Sequence, residues 1–336
     1  MAGLIIDIPG LQLTENDRTM LQHPAVAGVI LFTRNYESPA QLIELTESIR
    51  KAANRELIIC VDHEGGRVQR FRGEFTQIPA MASIRKAIAN PAQQSVIARE
   101  LGWLMASELL VCGVDHSFAP VLDIEGESTV IGDRAFSSNP DEVVLLAHAF
   151  IRGMHEAGMK ATGKHFPGHG TVVADSHVDI PVDERSLDEI LALDGKVFAH
   201  LAPHIQAVMP AHVIYPQVAP EPAGFSKRWL QEILREQYAF DGVIISDDLM
   251  MAGAVVAGTV TQRAEVAIEA GCDLLLVCND QTAAQTVLDT VTFSGDIQPS
   301  IDALRGNVSS DGLAQLRKSQ RWQEATQLLE RLKTPS

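Results

Sequence analysis

The sequence predicts an α/β fold, a (β/α)8 barrel of parallel strands each followed by a helix. Three observations carry this. Short apolar, β-branched runs recur along the chain, and fully buried parallel strands read as continuous apolar runs instead of alternating ones. Segments with helical spacing separate those runs, and strand–helix alternation repeated about eight times is the pattern of a closed α/β barrel. The runs also end in polar or glycine-rich clusters, at the end where such barrels assemble their sites.

Leu4-Ile5-Ile6 opens the series. Gly28-Val29-Ile30-Leu31-Phe32 follows, ending in Thr33-Arg34-Asn35, and then Leu57-Ile58-Ile59-Cys60-Val61, ending in Asp62-His63-Glu64-Gly65-Gly66-Arg67. Val114 to Phe118 is the fourth run, with Asp115, His116 and Ser117 among its polar residues. The fifth is closed by a loop beginning at Lys164-His165, with Met159 to Gly163 as the connection before it. Ile205 to Met209 ends in Pro210-Ala211-His212, Val243-Ile244-Ile245 in Ser246-Asp247-Asp248, and Leu274 to Cys278 in Asn279-Asp280.

Between the runs, Ser38-Pro39 starts a helix in which Leu42, Leu45 and Ile49 share a face. Asn139-Pro140-Asp141-Glu142 is a helix N-terminus, with proline in the first turn and acids facing the dipole, and its helix should end near Ala157-Gly158. Further helices are expected at 94–110, 186–201, 226–237, 260–270 and 282–291. No low-complexity linker splits the chain, so 1–336 is expected to be a single barrel domain. Residues 296–336 should form a C-terminal helical extension whose amphipathic stretch, with Leu316, Leu328, Leu329 and Leu332, packs on the barrel exterior.

Composition narrows the function. The chain holds 27 basic and 43 acidic residues, a formal charge of −16, which argues against a general nucleic-acid surface and against docking on anionic lipid. Cys60, Cys112, Cys272 and Cys278 include no C-x-x-C pair and fit buried thiols in a reducing compartment. Residues 1–7 lack a basic region and are broken by Asp7, so no signal peptide is expected. No uncharged apolar run approaches the ~18 residues a membrane span needs.

The densest polar stretch is Lys164-His165-Phe166-Pro167-Gly168-His169-Gly170-Thr171, continuing to Asp175-Ser176-His177. Gly168 and Gly170 permit positive φ and close backbone approach, while Pro167 blocks a helix. At the C-terminal mouth of a barrel, Asp62, Arg67, Arg70, Lys164, His165, His177, His212 and Asp247 should converge. Two chemistries compete there. His165 and His169 could ligate a metal, but an i, i+4 chelate needs a helix that Pro167-Gly168 forbids, and no H-x-H follows the first strands. Alternatively Asp175 fixes the tautomer of His177 and raises its proton affinity, which suits a general acid. Asp247, held after a buried strand, can then attack as a carboxylate nucleophile in glycosyl transfer. The structural alternatives are a turn cap for Asp175, a solvated loop residue for His177 and a helix cap for Asp247. Asp248, one step nearer Leu249-Met250-Met251, fits the capping role better.

The stretch 164–170 with Asp175-Ser176-His177 resembles the signature of bacterial β-N-acetylglucosaminidases of glycoside hydrolase family 3. The resemblance extends to Asp62-x-Glu64-Gly65-Gly66-Arg67-Val68-Gln69-Arg70, to Met209-Pro210-Ala211-His212 and to Asp241-Gly242-Val243-Ile244-x-Ser246-Asp247-Asp248-Leu249, and so covers most of the chain. It implies Asp247 as nucleophile, His177 as acid/base and Asp175 as its orienting partner. Sugar-binding positions fall on Asp62, Arg70, Arg134 (in Ile131-Gly132-Asp133-Arg134), Lys164 and His165. His63 stands where the pattern places Gln. The family also includes two-domain glucosidases with a carboxylate acid/base outside the barrel; a chain ending at Ser336 is expected to take it from a barrel loop instead.

The resemblance further implies a retaining exo-acting enzyme that removes GlcNAc from GlcNAc-1,6-anhydro-MurNAc and its peptides during cell-wall recycling, and so bears on cell shape and division. It needs no cofactor and no metal, acts on a small carbohydrate (muropeptide) in the cytoplasm, and is expected to be a monomer without nucleic-acid or membrane partners. A metal-dependent barrel hydrolase and a catalytically dead sugar-binding barrel are the two alternatives. Activity in EDTA separates the first, and the joint presence of Asp175, His177 and Asp247 disfavours the second.

Overall fold

The computed structural model describes residues 2–172, 181–309 and 312–333. Eight parallel strands form the central sheet: β1 (Gly3–Asp7), β2 (Val26–Leu31), β3 (Ile58–Val61), β4 (His116–Ser117), β5 (Thr162–Phe166), β6 (Ala207–Pro210), β7 (Val243–Asp248) and β8 (Leu274–Leu276). Their order is β4-β3-β2-β1-β8-β7-β6-β5. The two edges meet where Val121, just past β4, bridges Lys164 of β5 in parallel. Backbone bonds from Leu122 to Lys164 (2.6 Å) and from Thr162 to Ala119 (2.9 Å) reinforce the seam. The barrel is the fold that the alternating runs predict.

The strands form because their β-branched and aliphatic side chains are buried on both faces. Residues of β1 and β2 are buried throughout. One face packs against the surrounding helices, whereas Ile5, Ile30, Ile58, Cys60, Phe118, Met209, Ile245 and Leu276 fill the barrel interior. Ile301 and Leu304, from helix Gln298–Leu304, join that interior cluster. Helix starts follow the capping chemistry in the sequence. Asn139 accepts from Asp141 N ahead of helix Pro140–Ala157, and Asn90 accepts from Ala92 N and Gln93 N ahead of Pro91–Leu110; each such cap is worth about 1 kcal/mol.

Three expected boundaries shift. The segment expected as one helix over 186–201 is two, Leu187–Ala192 and Asp194–Leu201, broken at Leu193 (φ −109°, ψ −83°). The break sits beside Asp194, whose buried carboxylate accepts from Arg185 Nη1 at 2.8 Å. The amphipathic stretch carrying Leu316 and Leu328 likewise divides into Gly312–Leu316 and Gln320–Lys333. In the second helix Ala325 and Leu329 are buried, while Trp322 donates from Nε1 to Glu108 on helix Pro91–Leu110 at 2.8 Å. Finally, Lys164 and His165 are not in a loop after the fifth strand but inside β5. Parallel barrel strands carry polar side chains in their last residues where these face the mouth, so the run of apolar residues stops before the strand does. All four cysteines are free and buried. No helix among the described residues is long and apolar enough to cross a membrane.

Candidate active site

The C-terminal ends of the strands surround a cavity of about 440 Å³. Its wall includes Asp62 and Glu64 after β3, Lys164 and His165 in β5, Asp247 and Asp248 at the end of β7, and Arg67, Arg70, Arg134 and His169 from the connecting segments. Ion pairs organise one side. Lys164 Nζ donates to Asp62 Oδ1 at 2.8 Å and to Glu64 Oε1 at 2.6 Å. Arg134 grips Glu64 with two bonds, Nε to Oε2 and Nη2 to Oε1, both 2.9 Å, the bidentate geometry that makes Arg–carboxylate pairs strong. Arg70 Nη2 approaches Asp62 Oδ2 at 3.4 Å.

Burial opposes charge on Asp62, Glu64, Arg134 and Lys164, and the attraction of their ionic partners overrides it. Burial would raise the Asp62 carboxyl, but Lys164 and Arg70 bring it below the usual range. In the same way Arg134 and Lys164 hold Glu64 well below it. Burial would release the Lys164 proton, yet Asp62 and Glu64 raise its affinity. Asp62, Glu64, Arg134 and Lys164 are therefore ionised at neutral pH. Asp62, half-buried on the cavity wall, presents a charged hydrogen-bond acceptor there.

A second pair lies beside it. Asp123, fully buried, accepts from His165 Nδ1 at 2.7 Å, from His165 N at 3.2 Å and from His169 N at 2.7 Å. Burial alone would raise its carboxyl; His165 and His169 lower it instead. Because Nδ1 faces Asp123, the other ring nitrogen of His165 is the one free to face a ligand. The turn after β5 is packed so closely that glycine is required. Gly168 has φ +150°, and a Cβ there would strike the Asp194 carboxylate. A Cβ on Gly170 would strike the Ile124 carbonyl.

At the end of β7, Asp247 Oδ1 accepts from Asp248 N at 2.8 Å. Asp248 points elsewhere, accepting from Met250 N at 3.0 Å and Cys278 N at 3.2 Å. It therefore closes a turn and caps no helix; the next element is the short 3-10 helix Ala252–Ala257, preceded by Met251. Burial, with the Asp247 charge beside it, pushes the Asp248 carboxyl up to about 7. His212 lies buried behind this strand end, its Nε2 3.1 Å from the Asp248 carbonyl oxygen. Burial lowers its proton affinity.

Of the residues expected to converge, Asp62, Arg67, Arg70, Lys164, His165 and Asp247 line the one cavity, joined by Arg134, which the family resemblance names. His212 does not; it supports the strand carrying Asp247 from behind. Asp175 and His177 lie outside the described residues. His63 faces away from the cavity, buried between Phe71 and Phe75 at centroid distances of 5.8 and 5.7 Å. Burial holds it neutral, with a pKa of about 3, so the exchange at this position alters the packing behind the site and leaves the cavity lining unchanged. Two residues were missed as site members. Glu64 appears in the sequence only as part of a motif, and Asp123 sits unmarked between Val121-Leu122 and Ile124. A lone acid inside an apolar run is the signal that could have found Asp123, since such a group is rarely buried unpaired.

Residues 4–308 match the family model for the glycosyl hydrolase family 3 N-terminal domain. A β-hexosaminidase of Idiomarina loihiensis is 54% identical, covering 98% of this chain and 100% of the relative. One of Pseudomonas aeruginosa is 52% identical over 97% of each. Among solved structures, NagZ from Neisseria gonorrhoeae in complex with N-trifluoroacetyl-D-glucosamine superposes with a TM-score of 0.92 at 41% identity, covering 99% of this chain and 98% of that one. A family 3 β-N-acetylglucosaminidase from Paenibacillus matches at TM-score 0.80 and 29% identity, over 98% of this chain and 60% of its own. The barrel, the ion-paired sugar-sized cavity and these likenesses agree: the chain belongs to glycosyl hydrolase family 3 and is a glycoside hydrolase of the β-hexosaminidase class.

Proposed function

We propose that the chain is a retaining exo-β-N-acetylglucosaminidase in which Asp247 is the nucleophile. The observation that carries this is the placement of Asp247 on the wall of the cavity that also presents the Asp62–Lys164 pair. Asp62, Arg70, Arg134, Lys164 and His165 bind the terminal sugar: ionised Asp62 takes hydroxyl protons, and the cations fix the carboxylates around it. Asp247 attacks the anomeric carbon while His177, oriented by Asp175, protonates the departing oxygen. This leaves a glycosyl ester on Asp247. His177 then removes a proton from water, which attacks the same carbon and frees Asp247 with the anomeric configuration retained. No cofactor or metal enters the scheme.

The substrates are GlcNAc-1,6-anhydro-MurNAc and its peptide forms, processed in the cytoplasm during peptidoglycan recycling by a monomer. Residues 1–336 act as one catalytic domain, with 296–336 packed on the barrel. The ligand named for the Neisseria relative, a GlcNAc derivative, supports the sugar assignment. GlcNAc release from an aryl β-N-acetylglucosaminide, unaffected by EDTA, is the expected outcome. No release, or loss of activity on chelation, would reject the scheme.

A further inference from the structure

Four cations line the cavity, and their pairing differs. Lys164, Arg134 and Arg70 each face a carboxylate. Arg67 is exposed on the rim and, among the described residues, has no carboxylate partner. Its Nη2 donates to the carbonyl of Val130. The same carbonyl accepts from Arg134 Nη1 at 3.2 Å, so one backbone oxygen fixes the rim arginine relative to the sugar-binding array. A guanidinium held by a single bond keeps further N–H donors available, in the fork geometry that matches a carboxylate. In a chain of net charge −16, an anionic substrate is repelled overall and needs a local cation to seat it.

We infer that Arg67 binds a carboxylate on the leaving-group half of the substrate and makes the enzyme selective for acidic aglycones. This rests on the glycosidase scheme above and adds a specificity residue to it. Arg67 makes no hydrogen bond or ion pair with Asp247 or with the Asp62–Lys164 pair, and its exposure places it at the outer edge of the cavity. The terminal sugar occupies the inner array, so the group that reaches Arg67 belongs to the aglycone.

The test compares GlcNAc-1,6-anhydro-MurNAc, whose lactyl carboxylate is free, with the same disaccharide converted to its lactyl amide. For a half-exposed charge pair, wild-type kcat/KM should favour the acid by roughly three- to tenfold, mostly through KM, with the preference shrinking as salt is raised. Arg67→Gln should bring the ratio to about one, and Arg67→Lys should restore part of it. A wild-type ratio of about one would overturn the assignment. So would a ratio preserved in Arg67→Gln, or equal losses on both compounds, since these mark a purely structural bond to Val130. If the wild-type protein released GlcNAc from an aryl glycoside but from neither disaccharide, the substrate assignment itself would fall, and Arg67 with it.

Discussion

Removing the Glu64 carboxylate should cost the protein both stability and activity. Glu64 is 5% exposed and takes three charge-assisted bonds, two from Arg134 at 2.9 Å and one from Lys164 at 2.6 Å. In Glu64→Ala, Arg134 keeps only the Val130 carbonyl and Lys164 only Asp62. Deleting one partner of a buried pair typically costs about 3–5 kcal/mol, because the other charge stays buried. The surviving Lys164–Asp62 pair places the expected loss at about 3 kcal/mol. At about 2 °C per kcal/mol for a chain of this size, the thermal midpoint should fall by about 6 °C. Glu64→Gln, which keeps the shape and one acceptor, should lose less. The effect also has a pH signature. The folded-state pKa of Glu64 lies below its ordinary value of 4.5. Its stabilising contribution is thus complete above that value and fades as pH falls toward the folded pKa. The gap in melting temperature between wild type and Glu64→Gln should therefore narrow in acid. Thermal denaturation across pH, with kcat/KM on an aryl β-N-acetylglucosaminide, measures both. A midpoint change of less than about 1 °C in Glu64→Ala, with unchanged kcat/KM, would refute the description of this array.

Three further outcomes are expected. His177→Ala should slow the natural disaccharide by roughly 10²–10⁴-fold but an activated nitrophenyl glycoside far less, because a nitrophenolate departs without a proton, whereas Asp247→Ala should abolish both; equal losses in His177→Ala would remove it as the acid. Asp248 has a folded pKa of about 7 against an ordinary 3.8, so the unfolded chain ionises first and wild-type stability should decline as pH rises between those values. Asp248→Asn, which cannot ionise, should flatten that decline between about pH 4 and about pH 7, and parallel melting curves would contradict it. Asp123→Asn leaves one acceptor oxygen for three N–H donors, an expected loss of about 1–3 kcal/mol, and nitrogen NMR should show the His165 proton no longer fixed on Nδ1; an unchanged tautomer would count against it.

Much of the barrel was legible because its strands are buried on both faces, so runs such as Leu57 to Val61 leave an unbroken apolar trace. The site was partly legible for the same geometric reason: Asp62 follows such a trace directly and Asp247 one residue after it. What escaped is polar residues inside elements. Lys164 and His165 continue β5 as strand residues, yet their polarity reads as a loop, because composition cannot tell a residue facing a barrel mouth from one facing solvent. Asp123 and Glu64 escaped because their roles depend on partners 42 and 70 residues away, a proximity that only closure of the barrel creates. Asp248 was assigned to a helix cap because the sequence alone does not show that a turn and a 3-10 segment follow it.

The central claim is that Asp247 carries the sugar between the two steps. A 2-fluoro or 5-fluoro N-acetylglucosaminide-type substrate with a good leaving group slows breakdown of the glycosyl ester, so the adduct can be digested and located by peptide mass spectrometry. Label on Asp247 is the result predicted here. Label on Asp248, or no adduct from a compound that the enzyme turns over, would contradict it.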